Sequence, residues 1–474
     1  MTRSREPGES RIAGGLALLL LCTANFLDAM DVSTIGVALP RIQADLGIGA
    51  TTLQWAVSAY VLGYGGFLIL GGKVADRFGH RRVFLLSLFL FGVASIAGAL
   101  ADGAATLVVA RLVKGIAAAF TAPAALALLM SVVHEEKARA RALGVFISTG
   151  GAGFILGMLV GGLVTTVSWR LTMVIGAPFA FLTLLLAPLA LPKDHGTTVA
   201  RRAFDYLGAL TITLALLLLV GGVSNASAAG WADVWTWGTL ALAAAMLVAF
   251  VAVEARHPEP MVPLAMFRNA QLTRALIVAF LFQGAYMGFQ FVVTLYYQDV
   301  LQWSAFETGA SLAICGVFVL TLAPRFAVLA QRVGPARVIA GGVALQGASY
   351  ALWVLARGAL DPLVVIGAVQ LLFGLGYAMA FPAVQVAALA DVREGSAGLA
   401  SAMLFSSFQI GNGVILAVTA AIFGTARTLH ADPYDASVLF SAILCGVVAV
   451  FTLLGRSPGT GRSTASTEAA LQHG

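Results

Sequence analysis

Long apolar stretches separated by short polar or basic breaks recur along the whole chain. Each is long enough to cross a hydrocarbon core of about 30 Å as a helix. Hydropathy predicts about fourteen spans, near 12–39, 52–72, 82–101, 104–132, 140–166, 169–191, 206–225, 233–254, 272–298, 307–330, 336–356, 361–389, 397–424 and 437–455. The expected fold class is therefore all-α and polytopic, with no segment large enough for a separate soluble domain. The first span is expected to be retained, because Asn25, Asp28 and Asp31 interrupt it before any small-residue cleavage site.

Two stretches break the rhythm: 192–204, with Lys193, Asp194, His195, Arg201 and Arg202, and 255–271, with Arg256 and three prolines. They bracket two helices that read as an insertion into a repeat. Ala75-Asp76-Arg77-Phe78-Gly79-His80-Arg81-Arg82 recurs as Ala330-Gln331-Arg332-Val333-Gly334-Pro335-Ala336-Arg337, an offset of 255. Arg111, Gly115 and Pro123 match Gln370, Gly374 and Pro382 at an offset of 259. Six spans occupy roughly 190 residues, so the remaining offset holds two more helices. The expected organisation is a six-helix bundle over 1–191, a two-helix insertion with flanking cytoplasmic loops over 192–269, a second, pseudo-symmetric six-helix bundle over 270–456 and a flexible cytoplasmic tail over 457–474. A solute would bind between the bundles, near the middle of the membrane.

Composition agrees with a lipid solvent: 59% of residues are hydrophobic and 11% charged, with a mean hydropathy of +0.92, against roughly 25% charged in soluble domains. The net charge of +6 is a topology signal. With the N-terminus inside, about 21 of the 28 Lys and Arg fall on the inner side and about four outside, namely Arg41, Arg170, Arg357 and Arg427. Both termini are thus expected to be cytoplasmic, and the basic residues leave no nucleic-acid footprint. Cys22, Cys315 and Cys445 lie within spans without metal-ligand spacing, which reads as packing. No nucleophile triad, Rossmann fingerprint or phosphate-cradling loop is present, and His80, His134, His195 and His257 lie in or near inner loops. Enzyme chemistry, a cofactor, a metal and direct nucleotide drive are all disfavoured, leaving an ion gradient or facilitation.

An ionised side chain at the centre of a membrane helix costs roughly 2.5–3.5 kcal/mol on insertion scales, so each needs a reason. Asp28, Asp31, Arg111 and Lys114 are the deepest. Asn25, Asp28 and Asp31 are three residues apart on one helix face, and Arg111 and Lys114 share a face of the fourth span. Burial raises a carboxyl pKa and a nearby cation lowers it, so an Asp whose cationic neighbour comes and goes meets the requirement for proton coupling. The alternative is a static charge cluster that fixes packing. Arg325 reads as a snorkelling anchor, and Asp299 and Glu307 as solvated ends. Asn25, Trp55, Tyr60, Phe120, Gln283, Tyr286, Phe289, Gln290, Tyr377, Gln385, Phe405, Gln409 and Asn412 suit the wall of a cavity for an amphipathic solute. Gly153, Gly157 and Gly161 permit close helix approach, with a bend or gate as the second reading.

Several motifs coincide in order. Gly72-Lys73-Val74-Ala75-Asp76-Arg77-Phe78-Gly79-His80-Arg81-Arg82, Asp31 through Pro40, Arg111 to Gly115, Gly153 to Gly162, Trp169-Arg170 and Phe204-Asp205-Tyr206-Leu207-Gly208 together resemble the major facilitator superfamily, specifically its fourteen-spanner drug:proton antiporters. The resemblance covers nearly the whole chain. It implies alternating access in a bacterial plasma membrane, protons as the coupling ion, and a drug, dye or antibiotic as substrate. It implies coupling roles for Asp31 and Arg111, tuned by Asp28 and Lys114, and a conformational latch of Gly72, Asp76, Arg77, Gly79, Arg81 and Arg82. Gly153, Gly157, Gly161 and Gly162 fall in its antiporter motif. Two positions depart from the pattern: Lys114 stands where Gln is usual, and Met158 where Pro is usual. A carrier or facilitator of one metabolite or natural product, and a non-transporting receptor on the same fold, stay open, as does the oligomeric state.

Overall fold

The structure, a computed structural model, describes residues 7–133, 135–192, 194, 205–258, 260–390, 392 and 396–454. His134, Lys193, His195, Arg201, Arg202, Phe204 and the tail at 457–474 lie outside the described residues. In hydrocarbon every backbone N–H and C=O must be satisfied within the chain, and runs of Ala, Leu, Val and Gly do so as helices. These are α1 (Pro7–Leu46), α2 (Ala50–Leu53), α3 (Trp55–Phe78), α4 (His80–Ala99), α5 (Ala104–Val132), α6 (Glu136–Val167), α7 (Arg170–Val174), α8 (Gly176–Ala190), α9 (Tyr206–Ala229), α10 (Val234–Arg256), α11 (Ala270–Leu295), α12 (Ala305–Val333), α13 (Pro335–Ala356), α14 (Pro362–Leu389), α15 (Ala397–Thr428) and α16 (Pro433–Leu454). The short α2 leads into α3 and α7 into α8, giving 14 membrane-spanning segments among the described residues. Every span expected from hydropathy has its helix. The largest departure is α1, which runs to Leu46 rather than 39, because helical backbone continues after hydropathy falls at the membrane surface.

Polar residues stop and start the helices. Asp205 accepts from Gly208 N at 2.6 Å to cap α9, Asp233 from Thr236 N at 3.1 Å to cap α10, and Ser304 with Glu307 forms a reciprocal capping box on α12. The sequence repeat has a backbone counterpart. Gly79 between α3 and α4 has φ +99°, and Gly334 between α12 and α13 has φ +94°, conformations that glycine adopts without the Cβ clash other residues meet.

Helices α1 and α6, α3 and α5, and α4 with α5 and α8 pack together on one side of the molecule. Helices α13 and α14, α11 and α15, α12 and α14, and α16 with α13 pack on the other. The two sets meet along α3–α15 and α6–α12. Gly65 admits Gln409 and Ser406 at the first seam, and Gly309 admits the Met158 backbone at the second. Helix α9 lies against α3, α15 and α10, flanking the first seam.

At the face away from the α3–α4 loop, Arg357 sits among three rings, its guanidinium carbon 4.7 Å from the Trp353 centroid, 4.9 Å from Tyr296 and 5.7 Å from Tyr434. Its Nη2 pairs with Asp432 at 2.5 Å and Asp435 at 2.8 Å. Burial alone would push Asp432 up and Arg357 down; their hydrogen bonds prevail, holding Asp432 below the ordinary carboxylate range and Arg357 above its own. A carboxyl depressed on folding contributes stability above its unfolded pKa of roughly 3.9, lost as pH falls through the folded value. Arg357→Gln is expected to lower the thermal midpoint at pH 7 and to flatten its decline below about pH 4. Equal midpoints and equal acid profiles for the two proteins would show that the cage contributes nothing.

Candidate functional site

The intramembrane charges converge inside the helices of the first set. Asp31 of α1, 4% exposed, accepts from Arg111 Nη1 on one oxygen and from Lys114 Nζ on the other. The three-residue spacing of Arg111 and Lys114 aims both along one face of α5 at a single carboxylate. Each cation has further partners: Arg111 Nε donates to the Ala56 carbonyl at 2.6 Å and Lys114 Nζ to the Met173 carbonyl at 3.2 Å. Arg111 also lies 4.6 Å above the Tyr60 ring, and Lys114 4.6 Å above Phe91. Five helices, α1, α3, α4, α5 and α7, thereby supply one charged node.

Asp28 lies one turn earlier on α1 and is also buried. Its Oδ2 has no hydrogen-bond partner among the described residues, and neither does the Tyr60 hydroxyl. Two carboxylates thus face two cations, but both cations are committed to Asp31. A proton can settle on Asp28 without breaking an ion pair, whereas protonating Asp31 removes the counter-charge of two buried cations.

The polar groups of the α3–α4 loop meet partners within the first helix set. Asp76 is exposed and meets His80 Nε2 at 3.0 Å on its own side of the molecule. Arg81 N and Arg82 N donate to Asp194 at 3.0 and 3.1 Å, so a carboxylate caps the N-terminus of α4. Arg81 Nη2 reaches the Pro188 carbonyl at 3.1 Å, and Arg77 lies over Phe78. Asp194 also lies against Gly79, and Gly72 faces Pro123. Asp194, read in the sequence only as part of a polar break, is therefore a member of this loop's structure.

The glycine stripe of α6 lies against α1: a side chain at Gly153 would meet the Phe26 backbone, at Gly157 the Met30 backbone and Ser33, and at Gly161 Thr34. Gly162 turns to Ala305 and Phe306 of α12. Helix α6 runs without interruption through all four.

The residues expected to wall a cavity separate into groups. Gln290, with Val32, Ser33 and Gly36 of α1 and Phe154 of α6, borders a narrow space where the two helix sets meet. Tyr286, Phe289 and Tyr377 instead belong to a packed aromatic column. Tyr286 stacks on Phe373 at 5.7 Å, Phe289 on Tyr350 at 4.2 Å and Tyr377 on Phe282 at 5.0 Å, while the Tyr377 hydroxyl donates to Gln283 at 2.9 Å. Tyr60 is enclosed under Arg111, Trp55 packs toward α9, and Asn25 donates to the Phe146 carbonyl at 2.7 Å, clasping α1 to α6. Asn412 donates to Gln409 at 3.1 Å beside α3. Phe405 is exposed with its edge on Phe408, and Phe120 and Gln385 are half-buried.

The sequence profile of the Major Facilitator Superfamily matches residues 21–416, most of the chain and all of this site. The chain belongs to that superfamily. It is 36% identical to the puromycin resistance protein pur8 of Streptomyces alboniger, over 87% of this chain and 82% of the relative. It is 31% identical to the tetracenomycin C resistance and export protein of Streptomyces glaucescens, over 94% and 84%. Among solved structures, a POT family transporter in complex with 5-aminolevulinic acid superposes with a TM-score of 0.68 at 16% identity, covering 92% of this chain and 95% of that one. As a member of the major facilitator superfamily the protein is a multi-pass membrane transporter, and its relatives are transporters rather than enzymes. Within this superfamily member, the partners that sequence reasoning missed are Phe91, Asp194 and the carbonyls of Ala56 and Met173. Only Asp194, an isolated acid in a basic stretch, carried a signal.

Proposed function

We propose that this transporter is a proton-driven exporter of amphipathic small molecules such as antibiotics, working in a bacterial plasma membrane with both termini in the cytoplasm. The observation that carries the reading is the imbalance at the charged node: Asp31 engages both Arg111 and Lys114 while Asp28, one turn away, has an unpartnered oxygen. Lys114 is the movable element, a point charge on a flexible stem. With Lys114 on Asp31, Asp28 takes up a proton; a swing of Lys114 toward Asp28 favours its ionised form and releases that proton, leaving Asp31 with Arg111. If helix movements between the two access states drive that swing, proton transfer is tied to transport. The two helix sets act as the rocking halves, and the narrow, mostly apolar space between them beside Gln290 and Phe154 is where an amphipathic solute would enter. The antibiotic resistance and export named for the relatives agree with this substrate class.

Expression in an efflux-deficient bacterium tests the reading. Reduced accumulation of several unrelated amphipathic drugs, puromycin among them, abolished by a protonophore, is the expected result. Protection against one compound only would identify a narrow-specificity carrier. Efflux indifferent to the protonophore would remove proton coupling.

A further inference from the structure

Three side chains from three helices grip three consecutive residues of the α10–α11 connection. Lys73 of α3 donates to the Pro260 carbonyl at 2.5 Å. Asp205, at the head of α9, accepts from Met261 N at 3.3 Å, and Glu254, near the end of α10, accepts from Val262 N at 3.0 Å. Met261 and Val262 are consecutive, so their amides draw the two carboxyl groups to neighbouring positions. Both are buried, Asp205 at 1% and Glu254 at 3% exposure, and Glu254 Oε1 has no hydrogen-bond partner among the described residues.

Two ionised carboxylates held on adjacent amides in a buried site repel one another, and a proton on either one relieves that repulsion. Lys73, held at the Pro260 carbonyl, is the cation nearest along the docked segment. Arg256 at the end of α10 and Arg268 in the connection are exposed, and His257 is half-buried in that connection. With one proton the pair carries a single negative charge opposite Lys73; without it, two buried negative charges face that lysine.

We propose that Asp205 and Glu254 form a second proton-binding site, separate from the Asp28–Asp31 node, that holds one shared proton and keeps residues 260–262 docked on α3. The proton comes from and returns to water, and no other bond changes. The site ties the α9–α10 pair to the helix whose end forms the α3–α4 loop. Loss of the proton sets the two carboxylates against each other and frees the segment that both of them hold.

The test uses the full chain in lipid nanodiscs without substrate, so it does not depend on whether export is demonstrated. Infrared difference spectra between acid and alkaline pH report the carbonyl stretch of protonated carboxyl groups. The expected result is a titrating band that disappears in Glu254→Gln and in Asp205→Asn but persists in Asp28→Asn, with proton release on an alkaline pH jump smaller by about one per protein in the first two variants. Hydrogen exchange supplies a second readout: the Met261 and Val262 amides lose protection at alkaline pH in the parent and keep it in Glu254→Gln. An unchanged band and proton count in both carboxyl variants would overturn the proposal.

Discussion

Asp31→Asn is expected to abolish substrate-driven proton movement and to reduce the yield of folded protein sharply. The variant keeps the shape of the side chain but leaves Arg111 and Lys114 without the carboxylate that both contact. Removing one member of a buried ion pair costs about 3–5 kcal/mol, since the surviving charge has no water to return to. Here two cations are stranded. Adding Lys114→Gln restores a workable balance, with Arg111 set against the remaining Asp28, so the double variant is expected to recover yield but not coupling. Asp28→Asn is expected to show the reverse separation: near-parental yield, because no ion pair is lost, and absent coupling. Detergent extraction with monodisperse elution measures the first quantity and a pH-sensitive dye in liposomes the second. Equal yields for the parent and Asp31→Asn would mean that the node is not the electrostatic support described above.

Gly157→Val is expected to remove the folded protein almost entirely. An ideal Cβ at this position already overlaps Ser33 and the Met30 backbone of α1, and backbone cannot turn aside as a flexible side-chain tip can. Overpacking of a well-packed contact typically costs about 1–3 kcal/mol, and valine adds two methyl groups beyond the Cβ. The same contact sets the position of Asp31, because Met30 and Ser33 flank it on α1. Gly144→Val on the same helix meets nothing within 4 Å and serves as the control, with yield expected near parental. Comparable yields for the two valine variants would contradict the close α1–α6 approach.

The fourteen spans were legible because lipid imposes one rule on every residue of a span, and hydropathy averages that rule over some twenty positions. The repeat was legible at Gly79 and Gly334 because a positive φ restricts the residue type, so the same letter had to recur. The node was partly legible: the spacing of Arg111 and Lys114 put them on one face, and the cost of charge in lipid required a partner. What spacing could not show is that both cations choose Asp31 and leave Asp28 open, since that depends on the rotation of α1 against α5. The aromatic residues of α11 and α14 read equally well as cavity wall or core. Their enclosure follows from α11 and α14 facing each other, a tertiary fact without a local pattern. Asp194 stood out as an acid in a basic stretch, but its seat at the N-terminus of α4, more than a hundred residues away, did not, and the Asp205–Glu254 pair was hidden for the same reason.

Export driven by a proton carried at the Asp28–Asp31 node requires that drug movement and proton movement occur together. The most direct measurement is proton flux in liposomes containing the purified transporter and a pH-sensitive dye, with a proton gradient imposed and an amphipathic drug such as puromycin added. The expected result is drug-dependent proton movement in the parent that is lost in Asp28→Asn, with both proteins inserted in equal amounts. Drug movement without proton flux in the parent, or unchanged flux in Asp28→Asn, would contradict it.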